Sequence, residues 1–138
     1  MEDCIFCKII RKDIPASIVY EDKDTLAFLD IKPAARGHTL VIPKKHAETI
    51  DSLDDDSAKK LMLTIKKVGK VMGSFSDGYN VVENNGEVAG QAVNHVHFHI
   101  VPRKRGDGLH AGFGKHVEYK TDEEKSGWVE RLKNGLKA

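Results

Sequence analysis

The sequence has little of what stabilises a secreted or membrane-embedded protein. Among 138 residues it has two cysteines, Cys4 and Cys7, and no apolar run approaches the roughly 20 residues that cross a bilayer. The N-terminal stretch MEDCIFCKII carries acidic residues where a secretory signal would be basic. We therefore expect a cytoplasmic protein that does not contact membranes. Its cysteines should be thiols or metal ligands rather than a disulfide.

The chain also lacks an excess of charge of either sign. It has 22 Lys and Arg against 21 Asp and Glu, a formal net charge of +1. A near-neutral chain has no strong electrostatic attraction to nucleic acid, so nucleic-acid binding is not expected. Neither internal repeats nor a low-complexity linker divides it, and its length suffices to bury one sizeable core. The sequence predicts a single domain over residues 1–138.

Hydrophobic periodicity predicts an α+β fold. Five runs bounded by turn residues predict strands: SIVYED, TLAFLDI, HTLVIP, GYNVVEN and NHVHFHIVP. A long helix is predicted to begin near SLDDDSAKK, whose serine and aspartates suit an N-cap and first turn. Its apolar stripe consists of Leu61, Ile65, Val68 and Met72. CIFCKIIRKDIP predicts a short helix or turn, and the tail around DEEKSGWVERLKNGLKA a C-terminal helix. Strands on both sides of one long helix predict a largely antiparallel sheet.

The stretch AVNHVHFHIVP contains the most unusual pattern of the chain. It places three histidines at alternate positions: His95, His97 and His99. The residues between and after them are apolar: Val96, Phe98 and Ile100. A period of two predicts a strand with the apolar side chains facing a core and the imidazoles on the other face. Exposed strand faces are usually covered by other polar residues, so the row indicates either a transition-metal site or nucleophilic and acid–base chemistry on a phosphorus ester.

The loop before this row, NNGEVAGQAVN, favours the phosphorus ester. Its glycines, Gly86 and Gly90, would let backbone N–H groups approach a phosphate closely. Its amides, Asn84, Asn85 and Gln91, would add neutral donors. Asn-Gly is also a common hairpin turn, so the loop by itself is weak evidence. Composition and spacing alone lead to a histidine-lined phosphate or metal site.

Several stretches match one protein family. HVHFHIV has three histidines that alternate with apolar residues. In this it resembles the signature of the histidine-triad family of nucleotide hydrolases and transferases. CIFCKII, IPASIVYEDKDTLAFLDIKPAARGHTLVIPKKH and GQAVNHVHFHIVPR are similar to the branch containing phosphoramidases and microbial triad proteins. The match covers most of residues 4–105. It implies the histidine-triad fold, with an antiparallel sheet of about five strands, and a homodimer.

The resemblance also implies a role for each matching position. His97 matches the nucleophile that takes the α-phosphate of a nucleotide as a covalent intermediate. His99 matches the histidine that contacts the phosphate and its leaving atom, and His95 matches a supporting histidine. Other positions match the nucleotide site: Phe6, Ile9, Phe28, Asp30, Ile31, Asn84, Gly90 and Gln91. Asp30 would accept the ribose hydroxyls, the apolar members would surround the base, and the two amides would contact the phosphate.

The implied reaction is hydrolysis of a nucleoside phosphoramidate, with a purine nucleotide as substrate and no metal needed for the chemistry. Ala92 stands where many relatives carry serine or threonine, which removes one hydroxyl donor. His99 replaces the glutamine of the sugar-phosphate nucleotidyltransferase branch, which favours a hydrolase. Three alternatives remain open: a diadenosine polyphosphate hydrolase using the same residues, a zinc-stabilised nucleotide-binding module with little turnover, and a catalytic metal held by the three histidines.

Cys4 and Cys7 have the spacing that lets two thiolates bind one zinc ion. A closed structural site needs two further ligands, for which we expect His46, in IPKKHAE, and His95. Similarity to microbial triad proteins with a Cys-Cys-His-His set supports this choice. Two unremarkable thiols on a helix are an alternative, whereas a redox pair would need a thioredoxin-like context that this sequence lacks.

Three histidines remain outside these patterns. His38, after Gly37 at the start of a predicted strand, is expected to be a hydrogen-bonded structural histidine near the site. His110 and His116 lie in the glycine-rich stretch GDGLHAGFGKHVEY and are expected to face solvent.

Overall fold

The structure, a computed structural model, describes residues 3–110 and 117–137. Its helices and strands are α1 (Ile5–Ile10), β1 (Ile18–Glu21), β2 (Thr25–Leu29), β3 (Thr39–Pro43), α2 (Asp55–Phe75), β4 (Gly78–Glu83), β5 (Phe98–Arg103) and α3 (Asp122–Leu136). Two 3-10 helices, Ile50–Ser52 and Glu87–Ala89, lie in the connecting segments. The α+β class is confirmed, with five strands, one long helix and a C-terminal helix.

The five strands form one antiparallel sheet in the order β1-β2-β3-β5-β4. β5 therefore lies inside the sheet, between β3 and β4, although it is the last strand along the chain. Its register with β3 pairs Phe98 with Val41, His99 with Leu40 and Ile100 with Thr39. This position supports the histidine segment from both sides, because both neighbouring strands hydrogen-bond to it.

The two faces of the sheet bury different sets of residues. On one face α2 packs against the sheet, with a core of Leu61, Ile65, Met72, Ala27, Val41, Val96, Phe98 and Ile100 among others. On the opposite face α1 packs against β2 and β3, with Phe6, Ile9, Leu26, Phe28, Leu40 and Ile42. The predicted apolar stripe of α2 is confirmed, and so is the core-facing side of the histidine segment. Each fully buried large aliphatic side chain contributes about 1.5–3 kcal/mol to folding.

The strand predicted over NHVHFHIVP is confirmed only in its second half. β5 begins at Phe98, whereas His95 lies in a bend and His97 just before the strand. The N–H of His95 donates to the carbonyl of Val93 at 2.8 Å, and the N–H of Val96 donates to the carbonyl of Ala47 at 2.8 Å. These loop contacts replace the strand ladder. The first two histidines are therefore not held in a regular strand.

α3 begins at the N-cap Thr121, whose side chain accepts a hydrogen bond from the N–H of Glu124. The side chains described for this helix are exposed, including Trp128 and Leu132, which share a face as predicted. Within residues 3–110 and 117–137, no helix has the length and apolar character needed to cross a membrane.

Candidate active site and metal centre

His97 and His99 lie side by side on the sheet face that α1 covers. Their ring centroids are 5.1 Å apart. Both line a cavity of about 280 Å³ whose other walls come from α1, the end of β2 and the segments that flank β5. Since most of the lining side chains are apolar, the cavity suits a flat apolar group next to two imidazoles.

A hydrogen bond to the backbone orients the ring of His97. Its Nδ1 lies 2.8 Å from the carbonyl oxygen of His95. A carbonyl oxygen only accepts, so Nδ1–H is the donor and the neutral ring carries its lone pair on Nε2. The ring is 4% exposed and packs edge-on against Phe6, with centroids 5.1 Å apart. His97 is thus a fixed imidazole with one free nitrogen.

His99, which is partly buried, pairs with a further histidine. Its Nδ1 lies 3.0 Å from Nε2 of His38, which is buried. Burial lowers the pKa of His99 to about 4, aided by the neighbouring His97 and His38 and opposed by the carboxylate of Asp30. Burial also lowers the pKa of His38. Both rings are therefore neutral at pH 7. The hydrogen bond to His99 confirms the prediction that His38 is a hydrogen-bonded histidine near the site.

Five residues expected around the base and ribose line the same cavity: Phe6, Ile9, Phe28, Asp30 and Ile31. The first three are buried, whereas Ile31 is 91% exposed and forms part of the rim. The Asp30 Oδ2 atom lies 3.5 Å from Nε2 of His38 and 3.9 Å from Nδ1 of His99. Its Oδ1 accepts the N–H of Lys32 at 2.9 Å. The carboxylate is therefore held at the boundary between the apolar walls and the histidines.

Three residues expected to meet the phosphate do not line this cavity: Asn84, Gly90 and Gln91. The Gln91 Nε2 atom donates to the carbonyls of Glu48 at 2.6 Å and Val93 at 3.0 Å, and its Oε1 accepts the N–H of Gly86 at 2.7 Å. Both amide hydrogens are thus engaged, one by Glu48 in the segment after β3 and one by Val93 in the loop. With both donors satisfied, the buried amide has none left for a ligand in this arrangement, and the phosphate contact of Gln91 stays a prediction.

The structure also brings residues to the cavity that the sequence pattern did not single out. These are Val93 and Lys32, which line it together with Ala92, the position already noted for its missing hydroxyl. Within the described chain, the N–H groups of Ala92 and Val93 make no backbone hydrogen bond. Both residues line the cavity that His97 and His99 also line. The small side chain of Ala92 was the one signal in the sequence, because a small residue leaves its backbone accessible.

Four side chains converge beside this site: Cys4, Cys7, His46 and His95. One ligand atom from each lies within 4.8 Å of the others. His95 Nδ1 is 3.4 Å from the Cys4 Sγ, 3.6 Å from the Cys7 Sγ and 3.1 Å from the His46 Nδ1. The Cys7 Sγ lies 3.3 Å from the His46 Nδ1. These are the four residues that the sequence predicted as metal ligands.

His95 belongs to this cluster and not to the row of His97 and His99. Its Nε2–H donates to the carbonyl of Pro43 at 2.8 Å, which leaves Nδ1 as the lone-pair atom among the sulfurs. Burial lowers its pKa to about 4, so it is neutral. A backbone carbonyl in this position is typical of the partner that orients a metal-binding histidine. Both ring nitrogens are engaged, and the prediction that three imidazoles line one face is wrong for His95.

Asp30, His38 and His99 also have ligand atoms within 4.8 Å of one another. In this second group the two histidines hydrogen-bond to each other at 3.0 Å, which uses the atoms that would face an ion.

His110 is exposed, which confirms the prediction that it faces solvent. His116, predicted to be similar, lies outside the described residues.

Comparison with known proteins places this geometry in a family. A family model of the HIT domain matches residues 11–106. The chain belongs to the HIT family. Adenosine 5'-monophosphoramidase of Schizosaccharomyces pombe is 50% identical over 100 residues, which are 72% of this chain and 74% of that protein.

Solved structures of HIT proteins share the fold. A member from Bacillus subtilis superposes with a TM-score of 0.87 at 42% identity, covering 96% of each chain. A zinc-bound histidine triad protein from Mycobacterium smegmatis has a TM-score of 0.73 at 36% identity, covering 95% of this chain and 92% of that one. This HIT protein therefore combines the family fold with a cluster of two cysteines and two histidines beside the triad.

Proposed function

We propose that this HIT protein hydrolyses nucleoside 5'-phosphoramidates through a covalent intermediate on His97. One observation carries the proposal: the carbonyl of His95 holds Nδ1–H of His97, so that Nε2 is a fixed lone pair beside a cavity of nucleoside size. An imidazole nitrogen is a good nucleophile toward phosphorus when it is neutral and oriented. The similarity to an adenosine 5'-monophosphoramidase supports the substrate class.

The cavity suggests how a nucleotide would lie. The base would pack against Phe6, Ile9 and Phe28, which form the apolar wall, with Ile31 closing the rim. The ribose hydroxyls would donate to Asp30, whose carboxylate stands between that wall and the histidines. The α-phosphate would then reach Nε2 of His97. An apolar wall and one acid do not select among purines strongly, so we propose adenosine from the named relative alone.

The chemistry needs two displacements. In the first, the Nε2 lone pair of His97 forms a bond to the α-phosphorus and the P–N bond to the leaving amine breaks, with the amine taking up a proton from solvent. In the second, the oxygen of a water molecule bonds to phosphorus, the P–N bond to His97 breaks and a proton is released. The nucleoside monophosphate leaves, and the ring returns to its original state. The imidazole of His99 and the backbone donors of Ala92 and Val93 would face the negative charge on the phosphoryl oxygens.

The glycine-rich loop supports this site indirectly. Gln91 ties Gly86, Glu48 and Val93 together, and Gly90 takes a φ of +97°, which favours glycine. The side chain of Asn84 donates to the carbonyl of Gly90 at 3.4 Å. We propose that these residues shape the loop so that Ala92 and Val93 reach the phosphate. Direct contact of Asn84 or Gln91 with the ligand would require a rearrangement of those bonds.

We also propose that the cluster of Cys4, Cys7, His46 and His95 holds a structural zinc ion. With Zn–S of about 2.3 Å and Zn–N of about 2.0–2.1 Å, a tetrahedral site has N···N edges of about 3.3 Å and N···S edges of about 3.6 Å. The observed separations are 3.1 Å between the nitrogens and 3.3–3.6 Å between nitrogen and sulfur. The residues therefore fit the ion, which a zinc-bound relative supports.

A zinc ion would act here as a cross-link and not in the reaction. Burial raises the pKa of the Cys7 thiol in the protein without a metal, so ion binding would displace a proton from it. The bound ion would join the start of α1, the segment after β3 and the segment before β5. It would thereby fix the carbonyl of His95, which orients His97.

The edge strand β4 supports a homodimer. It carries exposed apolar side chains at Tyr79, Val81 and Val82, and its outer side pairs with no other strand of the described chain. Two copies could join these edges into one continuous antiparallel sheet, which would also cover the apolar residues. We propose this arrangement, in agreement with the family resemblance. A native mass of one chain would contradict it.

Intact-protein mass spectrometry with an adenosine phosphoramidate tests the reaction. Wild type, His97→Ala and zinc-depleted protein would be mixed with substrate and quenched by denaturation without acid, because phosphorus–nitrogen bonds to histidine are acid-labile. We expect a nucleoside monophosphate adduct on wild type, retained after chelation, and none on His97→Ala. His110→Ala, which alters an exposed histidine, is the matched control and should form the adduct normally.

The other outcomes distinguish the alternatives. Absence of both adduct and product, with nucleotide still bound, would identify a binding module and overturn the proposal. Product formation that chelation abolishes while the protein stays folded would identify a catalytic metal. Faster turnover of a diadenosine polyphosphate than of the phosphoramidate would keep the covalent mechanism but replace the proposed substrate.

A further inference from the structure

The loop between β4 and β5 contains an asparagine followed by a glycine, Asn85 and Gly86. Gly86 has a φ of +95°, in the region that residues with a side chain rarely adopt, so the loop needs glycine there. Asparagine before glycine is the pair most prone to deamidation, because no side chain hinders attack by the following backbone nitrogen. Asn85 is also exposed to solvent. The backbone of this loop therefore requires a chemically labile pair.

Deamidation of such a pair has defined steps. The backbone nitrogen of Gly86 gives up its hydrogen and bonds to Cγ of Asn85, the bond from Cγ to Nδ2 breaks, and ammonia leaves with that hydrogen. Water then opens the succinimide ring at either of its carbonyl carbons and gives aspartate or isoaspartate. The reaction requires that a base reaches the hydrogen of Gly86 and that the amide plane of Asn85 turns toward the nitrogen.

The buried side chain of Gln91 covers the attacking nitrogen. The N–H of Gly86 donates to Oε1 of Gln91 at 2.7 Å. Gln91 is 7% exposed, and its own amide nitrogen is held by the carbonyls of Glu48 and Val93. An amide oxygen is too weak a base to remove a backbone hydrogen, and in this position it excludes hydroxide. The nitrogen therefore stays protonated while the loop is closed.

The side chain of Asn85 is held at both of its polar atoms. Its Oδ1 accepts the N–H of Ile50 at 2.8 Å, at the start of the 3-10 helix that follows β3. Its Nδ2 contacts the carboxylate of Glu83, the last residue of β4. These two contacts fix the plane of the amide, and the rotation that ring closure requires would break them. Both partners of the reaction are thus restrained by other parts of the fold.

A second pair of the same kind lies near the end of the chain. Asn134 and Gly135 belong to the last turn of α3, and Asn134 is exposed. A helix whose described side chains face solvent gains little from packing, so its last turn frays readily. The chain therefore carries the same labile pair in two settings, and the second pair serves as an internal reference for the first.

We propose that Asn85 is a latent deamidation site, protected while Gln91 holds the N–H of Gly86 and modified when the loop opens. This proposal is independent of the proposed function. Conversion to aspartate would place a second carboxylate beside Glu83, whose Oε1 already has no hydrogen-bond partner within the described part of the chain. Isoaspartate would lengthen the backbone of the loop. Either product would oppose closing of the loop, so the modification would mark molecules whose loop has opened.

Peptide mapping by mass spectrometry tests the protection, because it measures both asparagines in one sample of the full chain. Protein incubated at mildly alkaline pH would be compared with protein in urea, where both pairs should deamidate at similar rates. In the folded protein we expect Asn85 to react about 10- to 30-fold more slowly than in urea, since opening costs two hydrogen bonds. Asn134 should be slowed less.

One variant removes the cover on the attacking nitrogen. Gln91→Met has a side chain of similar length but offers no amide oxygen to Gly86. We expect it to raise the rate at Asn85 by about tenfold and to leave the rate at Asn134 unchanged. Val88→Ala, at a fully exposed side chain of the same loop, is the matched control and should change neither rate.

A second variant releases the side chain of Asn85. Ile50→Pro removes the N–H that Oδ1 accepts. The backbone suits proline, because Thr49 is extended, with φ −128° and ψ 161°, and position 50 opens a 3-10 helix. We expect the rate at Asn85 to rise by about 3- to 10-fold, the effect of losing one hydrogen bond.

Two results would overturn the inference. One is an Asn85 that reacts as fast in the folded protein as in urea. The other is an unchanged rate at Asn85 in both Gln91→Met and Ile50→Pro. Circular dichroism establishes that each variant is folded, and an unfolded variant would also accelerate Asn134. If Gln91→Met does not fold, Ile50→Pro decides, because it leaves Gln91 in place.

Discussion

At the scale of single residues, the chemistry of this HIT protein depends on which atom of each ring is engaged by the protein. The carbonyl of His95 holds Nδ1 of His97, the carbonyl of Pro43 holds Nε2 of His95, and the N–H of Ala34 holds Nδ1 of His38. Each bond to a fixed backbone group selects one tautomer. His38, His95 and His97 thereby leave different ring nitrogens free of the backbone, and each can make a different contact.

Glu83 is a residue whose environment costs stability. Its Oε2 contacts the Asn85 side chain, whereas its Oε1 is buried without a hydrogen-bond partner in residues 3–110 and 117–137. Burial raises the pKa of Glu83 above its ordinary value of 4.5, against the opposing effects of Asn85 and His97. We expect Glu83→Gln to raise the free energy of unfolding at pH 7 by about 0.5 kcal/mol, a small value because solvent still screens the partly exposed group.

The pH dependence gives this expectation a definite sign. A raised folded-state pKa means that the folded protein binds the proton more tightly than the unfolded chain does. Wild type should therefore lose stability relative to Glu83→Gln as the pH rises from about 4.5 through the folded-state pKa, and the difference should vanish at lower pH. Urea unfolding between pH 4 and pH 8 measures it. Glu87→Gln, at an exposed acid nearby, is the control, and a difference independent of pH would contradict the argument.

At the scale of elements, the contact between α2 and β4 depends on one helical glycine. A Cβ atom at Gly69 would lie 2.8 Å from the hydroxyl oxygen and 2.9 Å from Cε2 of Tyr79, which is closer than carbon atoms can pack. At Gly73, one turn later, the nearest atom is Cε1 of the same ring at 3.8 Å. Gly69 therefore lets the tyrosine lie on the helix backbone, whereas Gly73 does not serve that purpose.

These two glycines form a matched pair for mutation. We expect Gly73→Ala to raise the free energy of unfolding by about 0.5–1 kcal/mol, because alanine restricts the unfolded chain and favours the helix. Gly69→Ala gains the same helix propensity but must displace the half-exposed Tyr79 ring, so it should be less stable than Gly73→Ala by about 1–2 kcal/mol. Urea unfolding of both variants checks the order. Equal stabilities would show that the ring moves without cost.

At the scale of the whole molecule, the Cys/His cluster joins segments that are distant in the chain. Cys4 and His95, which are 91 positions apart, meet at 3.4 Å, and Cys7 and His46, which are 39 apart, at 3.3 Å. The sheet brings the ends of β3 and β5 together, and α1 covers them. A cation at this point would hold together the three segments that surround the candidate active site.

Metal removal should therefore lower thermal stability. At a free zinc concentration about 1,000 times Kd, binding stabilises the folded state by about 4 kcal/mol, so we expect chelation to lower Tm by roughly 10 to 15 °C. Cys4→Ser should reproduce much of this loss even with zinc present. Calorimetry, together with elemental analysis of the purified protein, measures both effects. A protein that binds no zinc, or whose Tm does not respond to chelation, would contradict the proposed site.

Much of the fold followed from local patterns because periodicity depends only on backbone geometry. Alternation placed Val96, Phe98 and Ile100 in the core, and steps of three and four residues gave the buried stripe of α2. The motif led to the family and to the four members of the Cys/His cluster. The predicted single domain and homodimer stay predictions, as do the roles of the site residues.

The sequence by itself determined which faces of the strands and helices are apolar and which residue types gather near the site. Only the tertiary structure decided which atoms meet. It turned the ring of His95 toward two sulfurs and placed His38 against His99. It also engaged both amide hydrogens of Gln91 with the carbonyls of Glu48 and Val93. The physical reason is that side-chain periodicity fixes a direction over a few residues, whereas hydrogen-bond partners are chosen among groups that the fold brings together from distant parts of the chain.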